Sequence, residues 1–244
     1  MSRTSGVIIT MDGPAGTGKS SVAVLLAHRL GLEMLDTGAM YRAAAVVALD
    51  EGVPADDGPA LAARIEEEGL RFDWAQRPPR LLLGGRDLTE RIRDADVNQA
   101  VSVVARQAAL RAAMVEAQRA IGQAHPRLVS EGRDQGSVVF PHAAVRFYLH
   151  AHPEVRARRR VEQMRAQGRP ADYEAVLRAI QERDYLDETR SDGPLIVPHG
   201  AVRVDTSSYT LDGVVDLLER EVRARVPAED LAPPARAPEG AALP

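Results

Sequence analysis

The chain has 244 residues, 45% of them hydrophobic and 27% charged, a formal net charge of −4 at pH 7, and no cysteine. That length suits one principal domain with a small inserted unit. The missing thiols exclude disulfides and cysteine-ligated metals, and the acidic balance argues against bulk binding to nucleic acid or to a membrane surface.

From the N-terminus, MSRTSGVIITMDG has neither the apolar core nor the cleavage site of a secretory signal, and no apolar run approaches the about 18 residues of a membrane span. A soluble, cytoplasmic protein is expected. Within that opening, GVIITMD (6–12) is a short apolar run bounded by glycines, the pattern of a buried parallel strand. Residues 20–30 follow with Val22, Leu25, Leu26 and Leu30 at helical spacing. Between them, DGPAGTGKSS (12–21) sets Gly13, Gly18, Lys19 and Ser20 in G-x-x-x-x-G-K-[ST] register, after a strand and at the opening of a helix. Glycines permit a backbone whose N–H groups converge on a polyphosphate, and the helix N-terminus adds partial positive charge.

Gly13, Pro14, Ala15, Gly16, Thr17, Gly18, Lys19, Ser20 and Ser21 are therefore the expected cradle for a nucleoside triphosphate. Lys19 would bridge the β and γ phosphates, and the Ser20 hydroxyl would ligate Mg2+. Composition points to Lys19 independently: of 31 basic residues it is the sole lysine, all others being arginine. It stands where a compact point charge on a flexible stem is needed and a planar guanidinium is a poor replacement. The bland alternative is a glycine turn that binds nothing.

A second strand at 33–35 leads into LDTGAMYR (35–42), with Thr37 and Arg42 in reach of an anion at the next helix N-terminus. Alternatively, Thr37 only caps that helix and Arg42 is solvated. Helices are predicted over 39–51, 59–68 and 96–123. Residues 69–86, reading LRFDWA, a Pro-Pro turn and RLLLGG, break the alternation as a hairpin-like antiparallel pair, in an insertion spanning about 52–93.

A strand at 128–131 ends in EGRDQGSVVFP (131–141), where Arg133 and Asp134 are either a donor and an acceptor at a carboxyl strand end or a structural ion pair. After a strand at 145–150, a helix over 153–167 carries RARRR (156–160), equally a nucleotide clamp or a solvated face. A helix over 173–189 begins ERDYLDETRSDGPL (182–195), with Arg183, Asp187 and Arg190 on one face. They form a surface ion-pair ladder or, with Ser191-Asp192-Gly193-Pro194 as hinge, the working face of a lid over about 183–195. A strand at 201–205 and a helix over 211–225 complete a domain of residues 1–226, and the Ala/Pro-rich 227–244 reads as a disordered tail. The six histidines show no metal-ligand spacing. Alternating strands and helices predict an α/β fold, a parallel sheet covered on both faces.

In this order and spacing, DGPAGTGKSS, LDTGAMYR, EGRDQGSVVFP and ERDYLDETRSDGPL resemble bacterial cytidylate kinase over about residues 6–225. The resemblance implies the P-loop nucleoside monophosphate kinase fold: a five-stranded parallel sheet flanked by helices, a small antiparallel monophosphate-binding insertion and a mobile lid. It implies transfer of a phosphoryl group from ATP to CMP or dCMP with Mg2+. It also implies roles: Thr37, Arg42 and Arg133 around the acceptor phosphate, Tyr41 among the substrate-binding residues, and Ser102, Arg111 and Asp134 as cytosine readers, the first two nine apart on one long helix. Arg183 and Asp187 resemble sugar contacts, Arg190 resembles a lid arginine, and Lys19, Arg133, Arg183 and Arg190 make up the implied catalytic set.

The base chemistry agrees, since a carboxylate accepts from the cytosine N4 amino group while an arginine donates to N3 or O2. Many relatives carry Asp where this chain has Glu131, which bears on how Mg2+ waters are held. A monomer acting on small molecules, without nucleic acid or membrane partners, is expected. A GTPase switch would need Asn-Lys-x-Asp, and the only lysine is already in the loop. Another nucleoside monophosphate or small-metabolite kinase on the same fold, and RNA binding through the arginines, stay as alternatives.

Overall fold

A computed structural model describes residues 6–232. The chain opens with β1 (Val7–Asp12), buried along almost its whole length, and turns through the glycine-rich loop into α1 (Lys19–Leu30). β2 (Glu33–Asp36) runs straight into α2 (Thr37–Glu51), whose first turn is capped by Asp36 accepting from the Ala39 amide at 3.0 Å.

The insertion contains α3 (Gly58–Glu68) and the antiparallel strands β3 (Arg71–Asp73), β4 (Arg80–Leu83) and β5 (Arg86–Asp87). The expected pair of strands gains a third because Gly84 and Gly85, at φ 56° and 80°, reverse the chain within two residues. The Trp74 ring stacks on His125 with centroids 4.1 Å apart, and His125 Nδ1 lies 2.8 Å from Glu33 Oε2, which pins the insertion to the main sheet.

The single helix expected over 96–123 is two helices, α4 (Ala95–Val104) and α5 (Ala108–Ala124). No glycine or proline marks the break. It lies where the start of α3 presses on the chain: a Cβ on Gly58 would come within 2.7 Å of Gln107 Cβ. There the chain tightens, with the amides of Arg106 and Gln107 bonding to the carbonyls of Val103 and Val104 at 3.2 Å.

β6 (Arg127–Glu131) is followed by a short π-helical turn at Gln135–Val139, then by β7 (Val145–His150), α6 (Pro153–Ala166), α7 (Tyr173–Thr189), β8 (Val202–Asp205), α8 (Leu211–Arg225) and α9 (Ala228–Leu231). The five long strands form a parallel sheet in the order β2-β6-β1-β7-β8. One core, on the face of α2, α4 and α5, continues into the insertion; the other lies under α1 and α8. Among the described residues no helix is long and apolar enough to cross a membrane. Register sets Glu131 opposite both Met11 and Asp36, so Asp36 and Glu131 are neighbours at the carboxyl end of the sheet, with Asp12 one residue past Met11.

The aperiodic tail expected from Pro227 does not begin there. α9 buries Leu231 in the α1/α8 core, and Arg127 donates to the carbonyls of Asp230 and Leu231 at 2.5 and 2.9 Å. One apolar residue in a four-residue helix leaves no periodic signal, yet a groove receives it. Residues 233–244 of that expectation lie outside the described residues. Truncation after Val226 is expected to remove about 1.5–3 kcal/mol of Leu burial and to lower Tm by about 5 °C. The kcat/KM at 25 °C should stay within about twofold, because α9 joins the amino end of β6, opposite the glycine-rich loop. Thermal melts and initial rates on the truncated chain check both.

Candidate active site

The functional side chains gather at the carboxyl ends of β1, β2 and β6, as they do in open α/β sheets. Gly13 has φ 144°, and a Cβ there would run into the Leu149 carbonyl of β7, so the loop can pass that strand only as glycine. Gly18, at φ 89°, forms the N-cap of α1. Lys19 is 5% exposed and folds its ammonium back, donating to the Pro14 carbonyl at 2.7 Å and to Thr17 Oγ1 at 3.4 Å. Burial and the charge of Arg133 hold that ammonium far below the ordinary lysine range, at about 7. An anion in the loop would relieve both effects.

Ser20 Oγ donates to Glu131 Oε1 at 2.7 Å. Burial and the nearby Asp36 charge push the Glu131 carboxyl up to about 7. Two adjacent hard oxygens fit a Mg2+ ion, which keeps most of its waters and takes one or two protein oxygens plus substrate phosphates. Among the described residues no group of three or more His, Cys, Asp or Glu could hold a metal ion by itself. Glu131 could hold such an ion together with Ser20, the one metal ligand expected from the sequence. Glu131→Gln should raise the Mg2+ concentration for half-maximal rate by about tenfold or more. The gap should be wider at pH 8 than at pH 6, because the parent carboxyl, with a pKa near 7, is mostly protonated at pH 6 and then resembles the amide. Mg2+ titrations at the two pH values decide this.

Thr37 donates to the Glu131 carbonyl at 2.8 Å, and the helix cap is Asp36 rather than Thr37. Arg133 pairs with Asp187 of α7, Nε to Oδ2 at 2.9 Å, while Asp134 pairs with Arg111, so the two neighbours do not bridge each other. Arg42 and Arg183 make no hydrogen bond or ion pair among the described residues. Burial and the charges of Arg133 and Arg42 bring the Arg183 guanidinium down to about 10. Arg183 and Asp187 are half-buried and Arg190 is buried, so the exposed-ladder reading of this helix face does not hold. Lys19, Arg133, Arg183 and Arg42 thus form a run of mutually repelling cations.

Beyond them lies a polar pocket. Arg111 contacts Asp134 and sits over the Tyr41 ring, 5.6 Å from its centroid, and Arg190 Nη2 is 3.9 Å from Asp134. The Tyr41 hydroxyl, which burial pushes up to about 12, Arg111 Nε, Gln118 Nε2 and Arg190 Nη2 are buried without hydrogen-bond partners. The Tyr41 and Gln118 side chains face each other, while the unpaired donors of Arg111 and Arg190 beside Asp134 could serve a polar ligand. Gly193, at φ 55°, lies so close to the Arg111–Asp134 pair that a Cβ would collide with both, so the hinge loop covers the pocket. Ser102 is half-buried on α4 and hydrogen-bonds to neither Arg111 nor Asp134; the break between α4 and α5 separates two residues expected on one helix.

Asp12, Gln118, Ser130, Gln135 and Asp184 escaped the sequence analysis. Asp12 accepts from the Gln135 and Gly136 amides, both at 2.7 Å, and anchors the π-helical turn behind Asp134; burial raises its carboxyl to about 6 despite those donors. Gln135 Nε2 donates to Gln118 Oε1 at 3.0 Å and to Asp134 Oδ1 at 3.3 Å, while Ser130 donates to Gln135 Oε1 at 2.8 Å, so Asp134 is oriented from behind. The available signal was position: Asp12 ends a buried strand, where an unpaired carboxylate is costly. Arg156 and Asp184 form a buried pair, so RARRR is not simply a solvated face.

A family model described as cytidylate kinase matches residues 9–224. A cytidylate kinase of Nocardia farcinica is 45% identical over 226 residues, 93% of this chain and 97% of that protein. One from Rhodococcus jostii is 45% identical over 92% of this chain and 98% of its own length, and one from Pelotomaculum thermopropionicum 44% over 88% and 96%. Phosphate loop, cation run, polar pocket and these matches over nearly the whole chain lead to one conclusion: the chain belongs to the cytidylate kinase family.

Proposed function

We propose that the chain transfers the γ-phosphoryl group of ATP to CMP or dCMP, giving ADP and the corresponding diphosphate. Family membership supports the reaction, and the observation that carries the assignment of roles is the cation run between loop and pocket. Phosphoryl transfer needs little covalent work from the protein; it needs two phosphates held in line and their charge neutralised.

In this reading the loop amides of Gly13–Ser21 hold the ATP phosphates, and Lys19 gives up the Pro14 carbonyl for the β and γ oxygens. Ser20 and Glu131 would hold Mg2+, which when bound would supply further neutralisation of phosphate charge. Thr37, Arg42 and Arg133 take the acceptor phosphate, with the Tyr41 ring supporting Arg111 beside it. Arg183 and Arg190 move towards the charge that develops in flight, and Asp187 tethers Arg133 near the sugar. No general base is required, because a phosphate monoester with a second pKa near about 6 is already ionised at pH 7. Asp134 accepts from the cytosine amino group while Arg111 donates, with Ser102 as a third base reader reached only if α4 and α5 shift on binding.

Entry of the nucleotide requires the loop at 191–195 to swing off the Arg111–Asp134 pair, so residues 183–195 act as a lid and the 52–93 insertion as the monophosphate side of the cleft. The same reading has a monomer acting in the cytoplasm, the compartment with which the cysteine-free composition agrees. A coupled ADP assay with CMP, dCMP, UMP and AMP tests the assignment. CMP and dCMP should exceed the other two in kcat/KM by about a hundredfold; preferred turnover of AMP or UMP would overturn it.

A further inference from the structure

α7 carries Arg183, Asp187 and Arg190, yet none of its side chains is buried within the helix itself. Its apolar residues Val176, Leu177, Ile180 and Leu186 are only half-buried, so polar ties add to the placement of that helix against the glycine-rich loop. One buried side chain reaches both. Arg156 of α6 is 3% exposed, and its guanidinium donates to three different elements at once. Nε bonds to the Ala151 carbonyl after β7 at 2.9 Å, Nη1 to the Ala15 carbonyl of the loop at 3.0 Å, and Nη1 and Nη2 to the two Asp184 oxygens at 3.0 and 2.5 Å. Its stem also supports the loop backbone: a Cβ on Gly16 would lie 3.4 Å from Arg156 Cβ. Asp184 in turn is adjacent to Arg183 and adds a negative charge that favours the charged forms of both Arg183 and Arg133.

We propose that Arg156 is a positioning residue that sets the distance between the triphosphate loop and the arginines of α7, acting through Asp184 on Arg183. The inference rests on the role given to Arg183 above. The rigid fork is what suits the task, since three acceptors lie around one plane, whereas an ammonium at the end of a flexible stem would serve one or two of them. A displacement of α7 by even about 1 Å at the loop would leave substrate binding nearly intact and reach the rate of transfer instead.

The experiment is a double-mutant cycle read by kcat and KM. Arg156→Met should lower kcat by about tenfold or more with KM for CMP changed less than about threefold, and Arg156→Lys should not rescue it. If Arg156→Met does not fold, Asp184→Asn is the substitute, because it leaves the bonds to Ala15 and Ala151 in place; it should show the same loss in kcat. In an Arg183→Gln background the further loss from either change should shrink to less than about threefold, since the arm it positions is gone. Losses that multiply independently would show a merely structural residue and overturn the coupling alone. An unchanged kcat in Arg183→Gln by itself would remove both the Arg183 assignment and this inference, and rescue by lysine would reduce Arg156 to a point charge and also overturn it.

Discussion

Lys19→Arg is expected to lower kcat by about a hundredfold or more while keeping the positive charge, as loss of one well-placed donor to a developing charge does elsewhere. The loop gives the reason. The ammonium is buried against the Pro14 carbonyl and Thr17 Oγ1, under a backbone whose glycines leave no slack, and a guanidinium is too large and too planar to turn there from carbonyl to phosphate. Chemical labelling provides an independent measurement, because Lys19 is the only side-chain amine and competes only with the N-terminus.

Burial and Arg133 lower its pKa to about 7, so the reactive free amine forms as pH rises through 7 rather than near the ordinary value. Acylation of Lys19, followed by peptide mapping, should level off above pH 8. Saturating Mg-ATP should protect it and CMP alone should not. Inactivation should track Lys19 labelling one for one. An arginine variant with near-parental activity, or a labelling rate still climbing at pH 9, would show an ordinary surface lysine.

The second large effect is at the base pocket. Asp134→Asn replaces one oxygen of the acceptor proposed for the cytosine amino group with an amide donor and, in the same stroke, removes the charge that pairs with Arg111 and the carboxylate 3.9 Å from Arg190. Removing one member of a buried ion pair costs about 3–5 kcal/mol of stability, and the lost contact to the base should lower kcat/KM for CMP by about a hundredfold. The ratio of CMP to UMP turnover should narrow as well, because an amide can donate to uracil O4 and a carboxylate cannot. Equal losses for the two substrates would remove Asp134 from base reading and leave it as a counter-ion for the arginines. Melting curves recorded beside the rates separate a loss of fold from a loss of recognition.

Much of this protein is legible in the chain because its chemistry is local. A strand, a glycine-rich turn and a helix must come in sequence to cradle phosphates, so β1, the loop and α1 follow from residues 6–30 alone, and the periodicity of the other strands and helices likewise needs only near neighbours. Arg183, Asp187 and Arg190 could be assigned to one face by spacing, and the lone lysine to its loop by composition.

Tertiary structure decided what distant residues do to one another. The break between α4 and α5 comes from α3 pressing on Gln107, and no residue type near 105–107 announces it. Leu231 finds its groove only because Arg127 receives the last carbonyls. Arg133 and Asp134 are adjacent in sequence, yet each is claimed by a different element, Arg133 by α7 and Asp134 by α5. Asp12 becomes an anchor and Arg156 a three-way tie only after β1, β6, α6 and α7 have converged. Spacing along a chain determines which side chains share a face, but burial, and with it the strength of every charge in the site, depends on which faces meet.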